Sequence, residues 1–498
     1  FFHRYMKTTT SPRSSCVLRV LLSSIVLVLW LNNTAVIAQD KFLWTGTPNQ
    51  PTSWTNPENW QNHLAPKPGS AVVIEQQAPN QVLVITDVPA SISLSQLQLK
   101  LVSGSNFTVV LQPEKAGSNF VLGNDTKQSN ALDIPAGATL VLQGAKDARF
   151  TIKSGFQATV AGTLRFQADA EGNFQQLAAG HAGAIVFKAG SICEAGSKAT
   201  VSNNSPFGAS VANAMVFEAN STLIHYSGKS IFGSATQQVV NFLPGSTYEY
   251  AALDETASPD LSGRRLQNFV LNTPATVPVN LLANTQIADI QIKQGQLLLS
   301  RNTNGIAQVA ISGNISLNAG SNSNLVVRPA TGRVHLVFAA SNKVQDIRGE
   351  GNILLDNRSG LIVENGAMVN LGTPVVVEDN IINTGSNSGT DATFGSVEVL
   401  AGGRLNVLGE NTITGSGRFT LNAGAILGIG SAEGIYREKT THFRQPEMTK
   451  GNIRCGNLDT RLYNAAAHYI YMGTQNQETG TGLPVNSNWD GSLAGRPR

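Results

Sequence analysis

Five charged residues in the second half of the chain have the strongest potential for chemistry. Asp346, Arg348 and Glu350 lie in one short segment, and Glu378 and Asp379 follow one sequence repeat later. On a shared surface, paired carboxylates beside a basic residue could cleave a polysaccharide by acid–base chemistry. We favour solvated turn residues with an arginine partner, because the other acids are sparse and scattered. We therefore predict no catalytic residue.

Three tryptophans near the N-terminus form the second candidate site. Trp44, Trp54 and Trp60 lie in a proline-rich stretch, FLWTGTPNQPTSWTNPENWQNHLAPKPGSAVVIE (42–75). Exposed indole rings would offer flat apolar surfaces for carbohydrate contact. The alternative is a structural cap, because the first coil of a stacked β-structure exposes an apolar end and an unpaired strand edge. We favour the cap.

The sequence predicts no metal and no cofactor. His181, His225 and His335 are isolated, and the chain lacks the CxxC and HExxH spacings of zinc sites. Cys193 lies in an alternating strand pattern, which indicates a buried free thiol, and Cys455 is distant from it.

The charge balance argues against a nucleic-acid partner. The formal net charge of +3 falls to −1 when four cations near the N-terminus are left out. These cations are Arg4, Lys7, Arg13 and Arg19. A near-neutral chain without a basic stripe neutralises few phosphates, and phosphate neutralisation dominates nucleic-acid affinity.

Residues 1–38 are predicted to be upstream sequence followed by a secretory signal peptide. Met6 is the expected start, a basic region follows it, and Val20 to Leu31 form an apolar core. Small residues up to Ala38 indicate cleavage before Gln39. The core covers about 18 Å as a helix, too short for a bilayer of about 30 Å. We expect the mature protein to be secreted or at the outer cell surface, with no membrane partner.

A repeated phrase organises the rest of the chain and would position any site. A short alternating apolar run precedes a Gly or Asn, and a second alternating run follows it. The copies are 132–144, 150–162, 185–196, 215–228, 240–250, 315–327, 361–372, 397–409 and 419–430. Alternation at period two indicates strands with one buried face, and the central residue indicates a turn with positive φ. We predict an all-β parallel β-helix, or β-solenoid, of right-handed coils sharing one core.

The predicted domain organisation follows from where the phrase occurs. Residues 39–90 would form the cap and first strands, and residues 91–430 the coils, each about 25 residues long and about 4.8 Å high. Residues 431–484 are predicted to form an irregular, more charged region with a short strand, and residues 485–498 an unstructured tail. We expect the last regular coil near residue 430, with looser packing beyond it.

Several motifs resemble those of large secreted β-solenoid surface proteins of Gram-negative bacteria, many of which use type IX secretion. The opening W-T-G…S-W-T-N-P-E-N-W…P-x-P-G-S-A-V-V-I carries part of the resemblance. LNAGAILGIGSAEGI (421–435), GNI (451–453) and YNAAAHYIYMGTQNQETGTGLP (463–484) carry the rest. The resemblance implies a fold and a cellular address, not a reaction. That family's C-terminal sorting domain is not found, so we expect an N-terminal fragment.

These observations together predict an exported, non-catalytic solenoid that acts as a structural spacer with an adhesin-like surface. Its expected partners are extracellular glycans, other surface proteins and further domains of the same full-length chain. The alternative is a carbohydrate-binding or polysaccharide-degrading β-helix enzyme. A groove lined by carboxylates and a basic residue would favour the enzyme, whereas a smooth polar face would favour the spacer.

Overall fold

The computed structural model places the described residues from Phe42 onward in one compact unit. It describes residues 41–46, 52–102, 105–124, 130–144, 147–168, 175–196, 205–208, 210–233, 238–252, 259–318, 323–339, 343–378, 395–436, 450–456 and 460–490. The predicted signal peptide lies outside these residues. Within them the only helix is a 3-10 turn, Pro57–Asn59, so no described helix is long enough to cross a membrane.

The described residues form thirty-nine β-strands, numbered β1 to β39 in chain order, that pair in parallel ladders. Ladder A contains β1 (Lys41–Leu43), β3 (Ala71–Glu75), β6 (Gln96–Lys100), β9 (Asn130–Ile134), β12 (Gln157–Val160), β15 (Ile185–Phe187), β17 (Met215–Phe217) and β19 (Val240–Phe242). Ladder B begins with β2 (Thr52–Ser53), β4 (Gln81–Val88), β7 (Phe107–Pro113), β10 (Ala138–Gly144), β13 (Thr163–Ala168), β16 (Ile192–Ala195), β18 (Thr222–His225) and β20 (Thr247–Tyr250). Ladder C contains β5 (Ser91–Leu94), β8 (Ser118–Leu122), β11 (Ala148–Ile152) and β14 (Gln175–Ala179).

Two long strands connect the early coils to the late ones. β21 (Arg265–Asn280) pairs with β20 and with β22 (Thr285–Ser300), and β22 then pairs with three separate strands. Ladder B continues through β24 (Ile315–Leu317), β27 (Val344–Gly349), β30 (Met368–Gly372), β33 (Arg404–Val407), β36 (Ile426–Ile429), β38 (His468–Tyr471) and β39 (Asn488–Asp490). Ladder D contains β23 (Ile306–Ile311), β26 (Arg333–Phe338), β29 (Ser359–Val363), β32 (Ser396–Val399), β35 (Arg418–Leu421) and β37 (Arg461–Tyr463). Ladder E contains β25 (Asn324–Val327), β28 (Ile353–Leu355), β31 (Val375–Val377) and β34 (Ile413–Thr414).

Alternate residues of these strands bury their side chains in one continuous core. We expect fifteen apolar positions of these strands to divide between buried and outward faces by parity, and thirteen of them are at most 1 % exposed: Leu132, Ile134, Leu140, Leu142, Ile152, Phe187, Phe217, Leu361, Val363, Val397, Val399, Leu405 and Val407. Val186 and Val216, one position out of phase, are only partly buried. The all-β prediction, its parity and its long parallel ladders are therefore confirmed, in a form consistent with a parallel β-helix.

The turn residues of the repeated phrase adopt the predicted backbone conformation. Gly190, Asn220 and Gly245 have φ values of 80°, 62° and 85°. The Gly190 N–H donates to the Asn220 carbonyl at 3.2 Å, and the Asn220 N–H donates to Gly245 at 2.9 Å. Turns of successive coils thus stack directly on one another, because each presents its N–H to the carbonyl of the next.

The coils extend beyond the predicted limit near residue 430. β37 pairs with β35 and β38 pairs with β36, while Tyr469 and Tyr471 are buried. β39 pairs with β38 inside the predicted tail, and residues 491–498 lie outside the described residues. The expectation that the last regular coil lies near residue 430 is wrong. Strands before and after the charged residues that follow position 430 pair with each other.

Candidate functional site

The carboxylates of the candidate polysaccharide site lie on different parts of their coils. Asp346 pairs in register with Asn370, and Arg348 pairs with Gly372, both in ladder B. Arg348 is exposed, and Asp346 is partly buried. This part of the predicted site therefore faces polar or small residues of the next coil and not a second carboxylate.

The remaining members of that predicted site do not join Asp346. The Glu378 N–H donates to the Leu355 carbonyl at 2.8 Å, which aligns Glu378 with the end of ladder E. Glu350 lies in the exposed turn after β27, and its N–H donates to Leu317. Asp379 lies outside the described residues. Because coil lengths vary, residues one repeat apart in sequence do not reach equivalent positions.

Asp346 instead belongs to an outward row of Asn and Asp residues along ladder B. This Asx row contains Asp289, Asn314, Asp346, Asn370 and Asn406. The Asn314 N–H donates to Asp289 Oδ1 at 2.7 Å, and the Asp346 N–H donates to Asn314 Oδ1 at 2.8 Å. Asn370 Nδ2 donates to Asp346 Oδ1 at 3.0 Å, and Asn406 Nδ2 donates to Asn370 Oδ1 at 2.8 Å. The Asp346 carboxylate therefore joins neighbouring coils.

Sequence reasoning missed this row although a signal was present. Each member directly precedes a buried aliphatic residue, as in Asp346-Ile347 and Asn370-Leu371. The same outward position carries a threonine row in the early coils. Its members are Thr108, Thr139, Thr163, Thr222 and Thr247, with Ile192 in register between the third and fourth. Thr247 pairs with Asn268, so the two rows are successive parts of one outward face.

The three candidate tryptophans are buried and contact one another. Trp60 packs edge-on against Trp44 and Trp54, with ring centroids 4.8 and 5.0 Å apart. Its Nε1 donates to the Trp54 carbonyl at 2.8 Å, and all three residues are at most 1 % exposed. Carbohydrate contact through exposed indole faces is therefore incompatible with this arrangement. An antiparallel bridge between Trp44 and Trp60 holds two of the rings together.

Opposite charges pair between coils along the outward faces, in neighbouring coils except for Lys293–Glu249, which spans two coils. The pairs are Glu75–Lys100 at 2.9 Å, Arg165–Glu194 at 2.8 Å, Lys188–Glu218 at 2.8 Å, Lys293–Glu249 at 3.2 Å and Arg328–Asp356 at 2.6 Å. Each pair is partly solvated, so individually it adds little stability. Together the pairs offset positive and negative charge along the outward faces.

Buried titratable groups lie inside the coils, away from these faces. The His225 ring is fully buried, with Nδ1 3.1 Å from the Tyr248 hydroxyl. Burial lowers the pKa of His225 to about 4, although the backbone of Gly228 and Ser227 opposes the shift. The charged imidazolium is thus disfavoured in the core.

Both cysteines of the described region are free and buried, as the sequence predicted for Cys193. Burial raises the pKa of the Cys193 thiol well above its usual range and that of Cys455 to about 12. These thiols are protonated at neutral pH, and a thiol without thiolate character is a poor nucleophile. Among the described residues, no group of three His, Cys, Asp or Glu side chains could hold a metal ion.

Comparison of the chain with protein-family models, with curated proteins and with solved structures found no match.

Proposed function

We propose that this chain is an exported, non-catalytic β-solenoid that acts as a spacer with an adhesin-like surface in a large cell-surface or secreted protein. The observation that supports this role is the use of outward polar groups. Asp346 bonds within the Asx row, and Glu194 accepts both Nε and Nη2 of Arg165. Side chains used in this way bond neighbouring coils to one another, as a structural spacer requires.

The finer architecture belongs to the same proposal. Parallel strands joined by crossovers are right-handed in nearly all proteins, so we assign right-handed coils. The cluster of Trp44, Trp54 and Trp60 would cap the N-terminal coil, since these rings pack beside β1, the first strand of ladder A. Bulky buried rings suit this position because they cover apolar residues that no earlier coil covers.

The enzyme alternative has weaker support. A β-helix hydrolase needs two carboxylates at a distance that brackets one glycosidic bond. Asp346 and Glu378 align with different neighbours, Asn370 and Leu355, at different positions around the coil. Carbohydrate binding without cleavage remains part of the proposed adhesin-like role.

The spacer and enzyme roles can be separated with purified protein and a panel of extracellular polysaccharides. We expect no new reducing ends at any pH, and retention of some polymers in affinity electrophoresis. The matched variant Asp346→Asn keeps the row's size and acceptor oxygen, so its behaviour should equal that of the parent. Release of reducing ends by the parent, lost in Asp346→Asn, would establish the hydrolase instead.

Export is tested separately in a Gram-negative host. We expect the secreted or surface-attached product to begin at Gln39, as measured by N-terminal sequencing. Replacing Leu21 and Leu22 with arginine should retain the chain inside the cell, because the apolar core of a signal peptide must be uncharged. A cytoplasmic parent chain with an intact N-terminus would contradict the export proposal without affecting the spacer role.

A further inference from the structure

Glu249 contacts side chains from both of the coils that follow it. It lies in β20, and its Oε2 accepts from Nζ of Lys293 at 3.2 Å. Its Oε1 accepts from Nδ2 of Asn272 at 2.7 Å. Gln294 Nε2 in turn donates to Asn272 Oδ1 at 3.1 Å. An amine, a carboxylate and a carboxamide from three successive coils therefore meet at one point.

Local irregularity of the strands produces this meeting. Leu271 pairs with Ile292 but Asn272 pairs with Gln294, so the register shift leaves Lys293 as an extra residue in β22. Such a bulge redirects a side chain. Lys293 consequently reaches back across β21 to Glu249, whose side chain is only 14 % exposed compared with 41 % for Lys293.

Other contacts in the chain contain parts of this arrangement. Lys188 and Glu218 form an ion pair between coils at 2.8 Å, which supplies the amine and the carboxylate. Asn422 Nδ2 donates to Glu398 Oε1 at 3.0 Å, which supplies the carboxamide and the carboxylate. At Glu249 both contacts occur on one carboxylate, so the amine and the carboxamide share one acceptor group.

We propose that Lys293 and Asn272 join in an isopeptide bond between neighbouring coils. Glu249 removes a proton from the Lys293 ammonium, and the neutral Nζ attacks Cγ of Asn272. Negative charge develops on Oδ1, where the Gln294 amide donor stabilises it. Glu249 carries one proton from Nζ to Nδ2, the Cγ–Nδ2 bond breaks, and ammonia leaves. Ammonia then takes up the second Nζ proton from Glu249 and becomes ammonium. The products are a secondary amide, ammonium and the unchanged carboxylate, with no oxidation or reduction.

Tryptic mapping of the folded, purified chain tests the bond directly. Cleavage after Arg265, Lys293 and Arg301 releases peptides 266–293 and 294–301 from an unlinked chain. An acylated Lys293 resists trypsin, so the linked chain releases a single peptide 266–301 that is lighter by one ammonia. We expect this peptide to accumulate as the folded protein is incubated at mildly alkaline pH. Complete recovery of the two separate peptides after prolonged incubation would overturn the proposal.

Three variants test which residues take part in forming the bond. Glu249→Gln and Lys293→Arg should abolish the linked peptide, whereas Lys188→Gln, which breaks a comparable ion pair, should leave its yield unchanged. Circular dichroism verifies that each variant folds before its map is interpreted. A linked peptide that forms at the parental rate in Glu249→Gln would overturn the assignment of Glu249. Ammonia loss from the new N-terminal glutamine of peptide 294–301 is distinguished because the chain is then cleaved at Lys293.

Discussion

The early coils around residues 185–250 and the late coils around residues 353–429 form the same parallel pairing with different side chains. In the early coils Phe187, Phe217 and Phe242 stack inside ladder A, with centroids 4.3 and 5.3 Å apart. The equivalent core of ladder D contains Val363 and Val399 in register, with the hydrogen-bonded Asx row on an outward face of the same coils. The same parallel pairing is therefore compatible with two different interactions between coils: aromatic stacking in the core, or hydrogen bonds between outward amide side chains.

The largest expected difference between the two regions comes from the aromatic stack. Phe217→Ala removes a ring that contacts Phe187 and Phe242 and leaves a cavity, so we expect a loss of about 3–5 kcal/mol in unfolding free energy. The matched late-coil variant Val399→Ala should lose about 2 kcal/mol, because it removes fewer buried carbons. Urea denaturation measures both. Equal losses would contradict the larger contribution assigned to the aromatic stack.

Acid should weaken the early coils, since His225 is fully buried there. Its pKa is about 4 in the folded chain, compared with about 6.5 for a free imidazole, so between these values the unfolded chain binds more protons. Stability should therefore fall as pH drops from about 6.5 to about 4, by about 3 kcal/mol in total. Urea titrations across this range measure the loss, and His225→Gln should flatten it. An unchanged slope in His225→Gln would assign the acid sensitivity to other groups.

The Asx row should contribute more to the unfolding free energy than the threonine row does. Asn370→Ala removes one bond donated to Asp346 and one accepted from Asn406, so we expect a loss of about 1–2 kcal/mol. Thr139→Ala at the same outward face should lose less than about 1 kcal/mol, which is the span of strand preference. Thermal unfolding of the two variants provides the comparison. A larger loss for Thr139→Ala would contradict the assigned role of the amide bonds.

The smallest effect is expected for the ion pairs between coils. Arg165→Gln should cost less than about 1 kcal/mol at low salt, because the Arg165 side chain is 38 % exposed. High salt should reduce the difference further, since exposed charges are screened. Denaturation at two salt concentrations checks this. A loss that persists in high salt would indicate that packing by the arginine side chain dominates.

Most of the fold could be predicted from the repeated phrase, because alternation and positive-φ turns are local properties. The 16-residue strands β21 and β22 were missed because no copy of the repeated phrase covers them, although Gly295 in β22 has the positive φ of a turn glycine. The site at Glu249 could not be predicted for a related reason. Its three members meet only when the register shift at Lys293 is known, and a shift of one residue moves a side chain to the other face. The place of Asp346 in the Asx row could not be predicted either, because coil lengths vary along the sequence.

Each strand pairs with a partner close to it in the chain, which has a consequence for how the protein folds. Asn280 pairs with Ser300 and Tyr463 pairs with Leu421, separations of 20 and 42 residues that bracket the ladder pairings. Doubling a loop of this size adds only about 0.6 kcal/mol of closure entropy, so each added coil meets a similar small barrier. A coil formed early is a template for the next. Folding can therefore advance in one direction as the chain emerges, without waiting for the C-terminal half.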